Sequence, residues 1–308
     1  MKKHLLAIAI TAGLVSSFAA NADAKFYGNV HVSIDSQNSK PNLDMTSHTS
    51  AFGFKGKEDL GGGMSALFKV EFQVDPTERD KGKFTDRDQW VGLKGGMGTV
   101  KFGTMSSNYK QMGGKVDPMY RTAMEGRGLM GGQSSLHSGA GITRGRSTNT
   151  LQYSSPKMGG MQMVLNTTIS NNANESTGLG LRYKAKKMMA YFDYIDLGGA
   201  VNQSAVKVGG TYKMSAIKVG FQYESVQDAD VVANAASAGG DRTFLSVDYK
   251  LNSNDNVAVS FADANLKDTG YAVMYNHKLS KKTNTYVGYA DSAVSTDNIL
   301  SLGVRHKF

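Results

Sequence analysis

The residues from Ile299 to Phe308 (ILSLGVRHKF) alternate in character one by one. Successive side chains of an extended strand point to opposite sides. Leu300, Leu302, Val304, His306 and Phe308 therefore share one face, and Ser301, Gly303, Arg305 and Lys307 share the other. A bare apolar strand at a terminus frays in water. A closed barrel in a membrane makes use of one: lipid outside, water inside, and aromatic rings at the interface. Ten alternating residues also suit a soluble sandwich, so the rest of the chain must decide.

The same period recurs throughout. Phe26, Gly28, Val30, Val32 and Ile34 alternate with Tyr27, Asn29, His31, Ser33 and Asp35. Met64, Ala66, Phe68, Val70 and Phe72 alternate with Ser65, Leu67, Lys69, Glu71 and Gln73. Further runs lie at Met161–Ser170, Thr177–Lys186, Met188–Asp196, Ala205–Tyr212, Ile217–Gln227, Arg242–Lys250, Asn256–Asp263, Gly270–His277 and Asn284–Asp291. One face of most runs is apolar enough for lipid. The other carries charges and amides at a density that no dry core tolerates. Short turns at Asp59–Gly63, Gly95–Gly98, Pro156–Gly160, Leu251–Asp255 and Leu279–Thr283 alternate with longer polar loops, as in transmembrane barrels. The expected fold is all-β, a transmembrane antiparallel β-barrel of about 16 strands, each with room for the ~9–11 residues that cross a bilayer. The glycines Gly61–Gly63 read as a hairpin turn and not a phosphate cradle, because no P-loop Lys-Ser/Thr follows them.

Composition agrees with this. The chain has 308 residues, no cysteine, 36 glycines and 4 prolines, so neither disulfides nor thiolate metal sites can hold it together. A hydrophobic fraction of 40% is modest for a membrane protein but fits strands in which only alternate residues meet lipid. Residues 1–24 read as a secretory leader: Lys2 and Lys3, then an apolar run Leu5–Leu14, then Ala22-Asp23-Ala24 as a cleavage site after Ala24. The barrel is expected over 25–308. A net charge of +9 suits nucleic acid, anionic lipid or anionic solutes. Export makes nucleic acid the poorest of these, and no groove-reading helix motif is present. His31, His48, His137, His277 and His306 are scattered outside any HExxH or nucleophile-elbow pattern, so no enzyme and no cofactor is expected.

One connector, over 104–145, is far longer than the ~12–15 residues usual for unstructured loops. It mixes both charge signs with Met, Tyr and many Gly. Its composition suits either a loop hanging outside or one folded into the barrel.

The segments SAFGFKGKEDLGGGMSALFKVEFQVD from Ser50, RDQWVGLKGGMGTVKFGT from Arg87, NYKQMGGKVDPM from Asn108, NTLQYSSPKMGG from Asn149 and the terminal GVRHKF together resemble the general porins of Gram-negative bacteria. The resemblance covers essentially the whole chain after the leader. It implies a 16-stranded outer-membrane barrel, usually a homotrimer, whose third external loop folds inward to form a constriction. That loop is the long connector. It also implies a water-filled channel for passive transport of ions and small hydrophilic solutes, in contact with outer-membrane lipid and delivered by outer-membrane assembly machinery through the strand ending at Phe308.

Porins of this type set basic side chains on the wall against acidic groups on the inward loop, and selectivity follows from pore radius and fixed charge. By resemblance, Arg87 and Arg146 match the basic wall. Lys55, Lys69 and Lys101 join them through their alternation with outward residues. On the loop, Asp117 falls in the matching KVDPM stretch and Glu125 is the next carboxylate. Asp117 also suits a turn cap before Pro118. The chain departs from the family at Ala51 and Thr104, where Arg is common, and at Asn29, where some members have Lys. The loop adds Lys110, Lys115, Arg121 and Arg127. A mild anion preference is expected. A phosphate- or other anion-specific channel and a structural or adhesive barrel are the alternatives. Trp90 is expected in the aromatic girdle. Gly28, Gly92 and Gly103 are expected to thin the outer wall.

Overall fold

The structure is a computed structural model and describes residues 22–78, 84–129, 146–169, 176–197, 203–227, 239–264, 269–291 and 298–308. The leader expected over 1–24 lies outside the described residues as far as residue 21. Residues 22–24 run on into the first strand, where Ala22 pairs with Glu58.

Seventeen strand segments form one antiparallel sheet. They are β1 (Ala22–Gln37), β2 (Asp44–Ser47), β3 (Ala51–Gly61), β4 (Met64–Gln73), β5 (Thr85–Gly95), β6 (Gly98–Ser106), β7 (Arg146–Ser154), β8 (Met161–Thr168) and β9 (Ser176–Lys184). There follow β10 (Met188–Leu197), β11 (Gln203–Met214), β12 (Ile217–Val226), β13 (Gly240–Lys250), β14 (Asp255–Ala264), β15 (Gly270–Lys278), β16 (Thr283–Asp291) and β17 (Asn298–Lys307). Both β2 and β3 pair with β1, so together they make one interrupted stave and the barrel has the expected sixteen. The sheet closes where β1 meets β17, from Asn29 opposite Lys307 to Gln37 opposite Ile299. Closure matters because hydrocarbon offers no water to an unpaired N–H or C=O. The seam extends to Phe308, which exchanges both backbone hydrogen bonds with Gly28.

The alternation sorts as the sequence suggests. Val30, Ile34, Val70, Phe102, Val206, Leu245, Val273, Val287, Leu302 and Val304 are exposed on the outside. His31, Ser33, Asp35, Asp193, Gln222, Ser260 and Ser301 are buried on the inside. Every second connector is short. Gly61, Gly62 and Gly63 hold φ of 78°, 59° and 77° in the β3–β4 turn, a left-handed run that only glycine adopts without strain.

The glycine and tryptophan expectations need correction. Gly28 does lie on the outer face, but the Phe308 ring covers it; a Cβ there would come within 2.4 Å of that ring. Gly92 pairs with Lys101 and Gly103 with Trp90, so both glycines lie on the lumen face, and Trp90 does too. The cause is a bulge between β4 and β5. Val70 pairs with Gln89 but Phe72 with Asp86, so Arg87 and Asp88 together oppose Glu71. The extra residue resets the alternation and turns Trp90 inward.

The lipid face supplies a stability test. Val273, 42% exposed at the middle of β15, should tolerate no charge. Val273→Arg is expected to destabilise the barrel by about 2–4 kcal/mol if it sits at the midplane, read from urea unfolding in lipid vesicles.

Candidate functional site: the inward loop and the charged lumen

The connector after β6 turns into the barrel. Ser107 caps a helix, α1 (Asn108–Val116), by accepting a hydrogen bond from the Lys110 N–H. A short second helix, α2 (Gly126–Leu129), follows. Residues 130–145 of the expected loop lie outside the described residues. The side of the loop facing the wall is apolar. Met112, Val116, Met119, Met124 and Leu129 pack on Tyr191, Phe244, Ala258, Ala262, Ala272, Met274, Tyr286 and Ala290 from the inner faces of β10 and β13–β16. Small alanines on those strands make room for the methionines.

Polar contacts fix the position of α1. The Asn108 N–H donates to Asn166 Oδ1 at 2.8 Å, and its side-chain amide donates to Asp193 Oδ1 and the Tyr194 carbonyl, both at 3.0 Å. Arg182 donates to the Asn108 carbonyl at 2.9 Å and to Asp193 at 2.7 Å. Lys207, fully buried, donates to the Tyr109 carbonyl, with its ammonium 3.9 Å from the centre of the Tyr109 ring. At the C-terminal end, where backbone carbonyls carry partial negative charge, Ser246 donates to the Val116 carbonyl at 2.6 Å and Lys218 to the Lys115 carbonyl at 3.2 Å.

Beneath α1 runs a ladder of alternating charge. Asp193 is directly opposite Lys207, Lys207 opposite Glu224, and Glu224 opposite Arg242 across β10–β13. All four side chains are buried. Opposite charges in neighbouring cross-strand positions stabilise one another, which offsets part of the cost of their desolvation. The Tyr109 hydroxyl lies beside Glu224, and burial with that carboxylate pushes its pKa well above the ordinary tyrosine value. Sequence reading missed this ladder, because the four residues are linked only by strand register.

The predicted basic wall is partly assembled. Lys69, Arg87 and Arg146 come together around two carboxylates that were not singled out, Glu71 and Asp88. Lys69 Nζ lies 2.7 Å from Asp88 and 3.1 Å from Glu71. Arg87 Nε lies 2.6 Å from Glu71, and Arg146 Nε 2.7 Å from Asp88. Tyr27 adds a hydrogen bond to Glu71 at 2.8 Å. Lys55 stands apart, with its ammonium 4.7 Å from the centre of the Tyr27 ring, and Lys101 lies 4.5 Å from that of Trp90. Two bulges build the cluster. One places Arg87 and Asp88 side by side. The other, between Gly103 and Met105 on β6, lies beside Arg146 and includes Asn149 at φ 50°.

The two loop carboxylates brace the loop. Asp117 accepts from the Met119 N–H through one oxygen and from the Gly126 N–H through the other, each at 2.8 Å. Glu125 accepts from the Arg121 N–H at 3.0 Å. This holds Arg121 at φ 68° with its guanidinium 5.4 Å from the centre of the Tyr120 ring. The face of the loop turned to the pore is therefore basic. A space of about 450 Å³ between loop and wall is lined by Lys110, Lys115, Arg121 and Arg146, with Gln111 and Tyr120. Among the described residues, no carboxylate lines it.

The ladder predicts that Lys207→Met, which leaves Asp193 and Glu224 without the cation between them, destabilises the folded barrel by about 3–5 kcal/mol. Unfolding midpoints of wild type and variant check this. Proteolysis within 107–129 should accelerate in the variant.

Comparison with known proteins agrees with this architecture. Residues 6–297 match the family model described as Gram-negative porin. The major outer membrane protein P.IB of Neisseria meningitidis strain H44/76 is 29% identical over 199 residues, covering 60% of this chain and 56% of that relative. Thus the stronger local matches span little more than half of their relatives' length. Another P.IB sequence, from N. meningitidis serogroup B, aligns over the whole of both chains at 24% identity. Among solved structures, an anion-selective porin from Comamonas acidovorans superposes with a TM-score of 0.76 at 18% identity, covering 93% of this chain and all of that one. A trimer form of OmpT, an outer membrane protein of Vibrio cholerae, gives 0.72 at 16% identity, covering 94% of this chain and all of that one.

Proposed function

Because the chain belongs to the Gram-negative porin family, a family of the outer membrane, we propose that it is a general diffusion channel for ions and small hydrophilic solutes with a mild preference for anions. The observation that carries the reading is the sign of the charge at the narrowed part of the lumen. Lys110, Lys115, Arg121 and Arg146 line the space between loop and wall. Asp117 and Glu125, the loop carboxylates expected to oppose the basic wall, accept backbone hydrogen bonds within the loop. Glu71 and Asp88 offset part of the wall charge where they lie between Lys69, Arg87 and Arg146. Fixed cations with few free carboxylates raise the local concentration of anions. The anion-selective Comamonas porin has the same fold.

The proposal includes a homotrimer. The outer surface near the seam carries a cluster of phenylalanine rings, with Phe26 against Phe52, Phe54 and Phe308 at 6.2, 5.2 and 5.5 Å and Phe84 against Phe52 at 5.3 Å. Such a patch suits packing against another copy. Export through a leader over 1–24, with Lys25 the first residue of the exported chain, belongs to the same proposal.

The test is the reversal potential of the purified protein in a planar bilayer across a KCl gradient. An anion-selective sign is expected. Lys110→Glu with Arg121→Glu should lower the anion-to-cation permeability ratio by about two- to threefold, the weight of a partly screened charge, and Glu71→Gln, which removes one of the two carboxylates among Lys69, Arg87 and Arg146, should raise it. Raising the salt from about 0.1 M to 1 M shortens the screening length from about 10 Å to 3 Å, so the preference should fade. A cation-selective sign would overturn the anion reading. A folded barrel that passes no current would favour the structural one.

A further inference from the structure

Below α1, towards the end of the barrel with the short turns, lies a compartment of about 660 Å³. Lys94, Lys101, Lys157 and Lys184 line it from the wall and Lys115 from the loop, and no carboxylate does among the described residues. None of these five ammonium groups forms an ion pair with a described residue; Lys101 lies over Trp90. Arg182 also reaches the space but is held by Asp193 and the Asn108 carbonyl. The lysines come from separate staves, β5, β6, β9 and the β7–β8 turn, and converge on one space. Like charges so placed repel one another at a cost to the fold, which a bound anion would relieve.

Part of the lining of the compartment is apolar. Leu67 and Trp90 line it and also line a smaller neighbouring space of about 260 Å³, whose charged lining is Lys25, Lys55, Lys57, Asp23 and Lys69, the last already paired with Glu71 and Asp88. The two side chains thus form an apolar ridge with basic groups on either side. Trp90 is the one tryptophan of the chain and is only half-buried on the lumen side. The bulge that turns it inward removes it from the lipid interface, where a tryptophan is ordinarily stabilised.

We infer that this ridge and its lysines form a binding site, on the short-turn side of the constriction, for flat aromatic solutes carrying two negative charges. The ring would lie on Leu67 and Trp90, and the anionic groups would reach the lysines beside it. Stacking on an indole and pairing with an ammonium act on different parts of such a solute, so a simple inorganic dianion gains only one of the two. The inference rests on the anion-preferring channel proposed above and adds a solute class that such a channel would retain.

Having one tryptophan makes the test direct. The folded full-length protein in detergent is titrated with meta-benzenedisulfonate and, separately, with sulfate, while the Trp90 emission is followed at low salt. Both probes keep a charge of −2 at any ordinary pH, and only one has a ring. The expected result is a saturable change with the disulfonate, half-complete at a concentration about tenfold below that of sulfate. Lys94→Gln with Lys101→Gln should raise that concentration about tenfold, and the matching pair of Arg substitutions should restore it. Lys157→Gln with Lys184→Gln is the second variant, for use if the first does not give a heat-modifiable barrel. Equal responses to the two probes, or a response that rises linearly without saturating, would overturn the site, because either is what anion accumulation in a basic lumen produces. If that happens while the reversal potential remains anion-selective, the channel reading stands and the site alone falls. Saturable disulfonate binding with a cation-selective potential would do the opposite.

Discussion

No backbone N–H or C=O can be left unpaired in hydrocarbon, and the remaining architecture follows from that constraint. It forces the sheet to close, with β1 held to β17 from Asn29 to Gln37 and on to the Phe308 backbone. Closure divides every strand into a lipid face and a lumen face. The lumen face is then free to carry charge, because it meets water and the inward loop instead of a packed apolar core. The loop in turn has a preformed wall to fold against, apolar where Ala258, Ala262 and Ala272 accept its methionines and charged where the Asp193–Lys207–Glu224–Arg242 ladder lies under α1.

The electrostatic character of the lumen follows from which charges are already engaged. On the wall, Glu71 and Asp88 hold Lys69, Arg87 and Arg146 in place and offset part of their charge. On the loop, the carboxylates stabilise turns and leave its pore face to Lys110, Lys115 and Arg121. A count of charged residues at expected positions would give an acidic loop facing a basic wall. The hydrogen bonds give a basic loop facing a wall whose charge near Arg87 is offset in part.

Much of this was legible in the sequence, and the limit has a physical form. The period of two identified the strands, and the connector lengths identified the two ends of the barrel, because both are local properties. The resemblance placed the long loop inside, and Met112, Met119 and Met124 on the wall agree with it. Side-chain direction failed at the bulges. One extra residue at Arg87–Asp88 carried Trp90 from an expected lipid girdle to the lumen. Thr49 at φ 57° lies in the irregularity that splits β2 from β3 opposite His31. No alternation pattern shows where a bulge falls. Glu71 was legible as inward-facing, but its pairing with Arg87 depends on register between strands, as does the ladder under α1. The capping role of Asp117 was readable from the proline that follows it, and that local reading is the one seen in the structure.

The central claim is that the loop rests against the β10–β16 wall as a fixed part of the lumen. The chain has no cysteine, so a pair can be introduced without interference at Met119→Cys and Ser260→Cys, whose side chains are in contact at 3.8 Å in the native protein. The decisive measurement is the single-channel conductance of this variant, oxidised and then reduced. Once the disulfide is shown by mass to have formed, a fixed loop predicts that the conductance is the same in both states. A conductance that rises several-fold on reduction would contradict it.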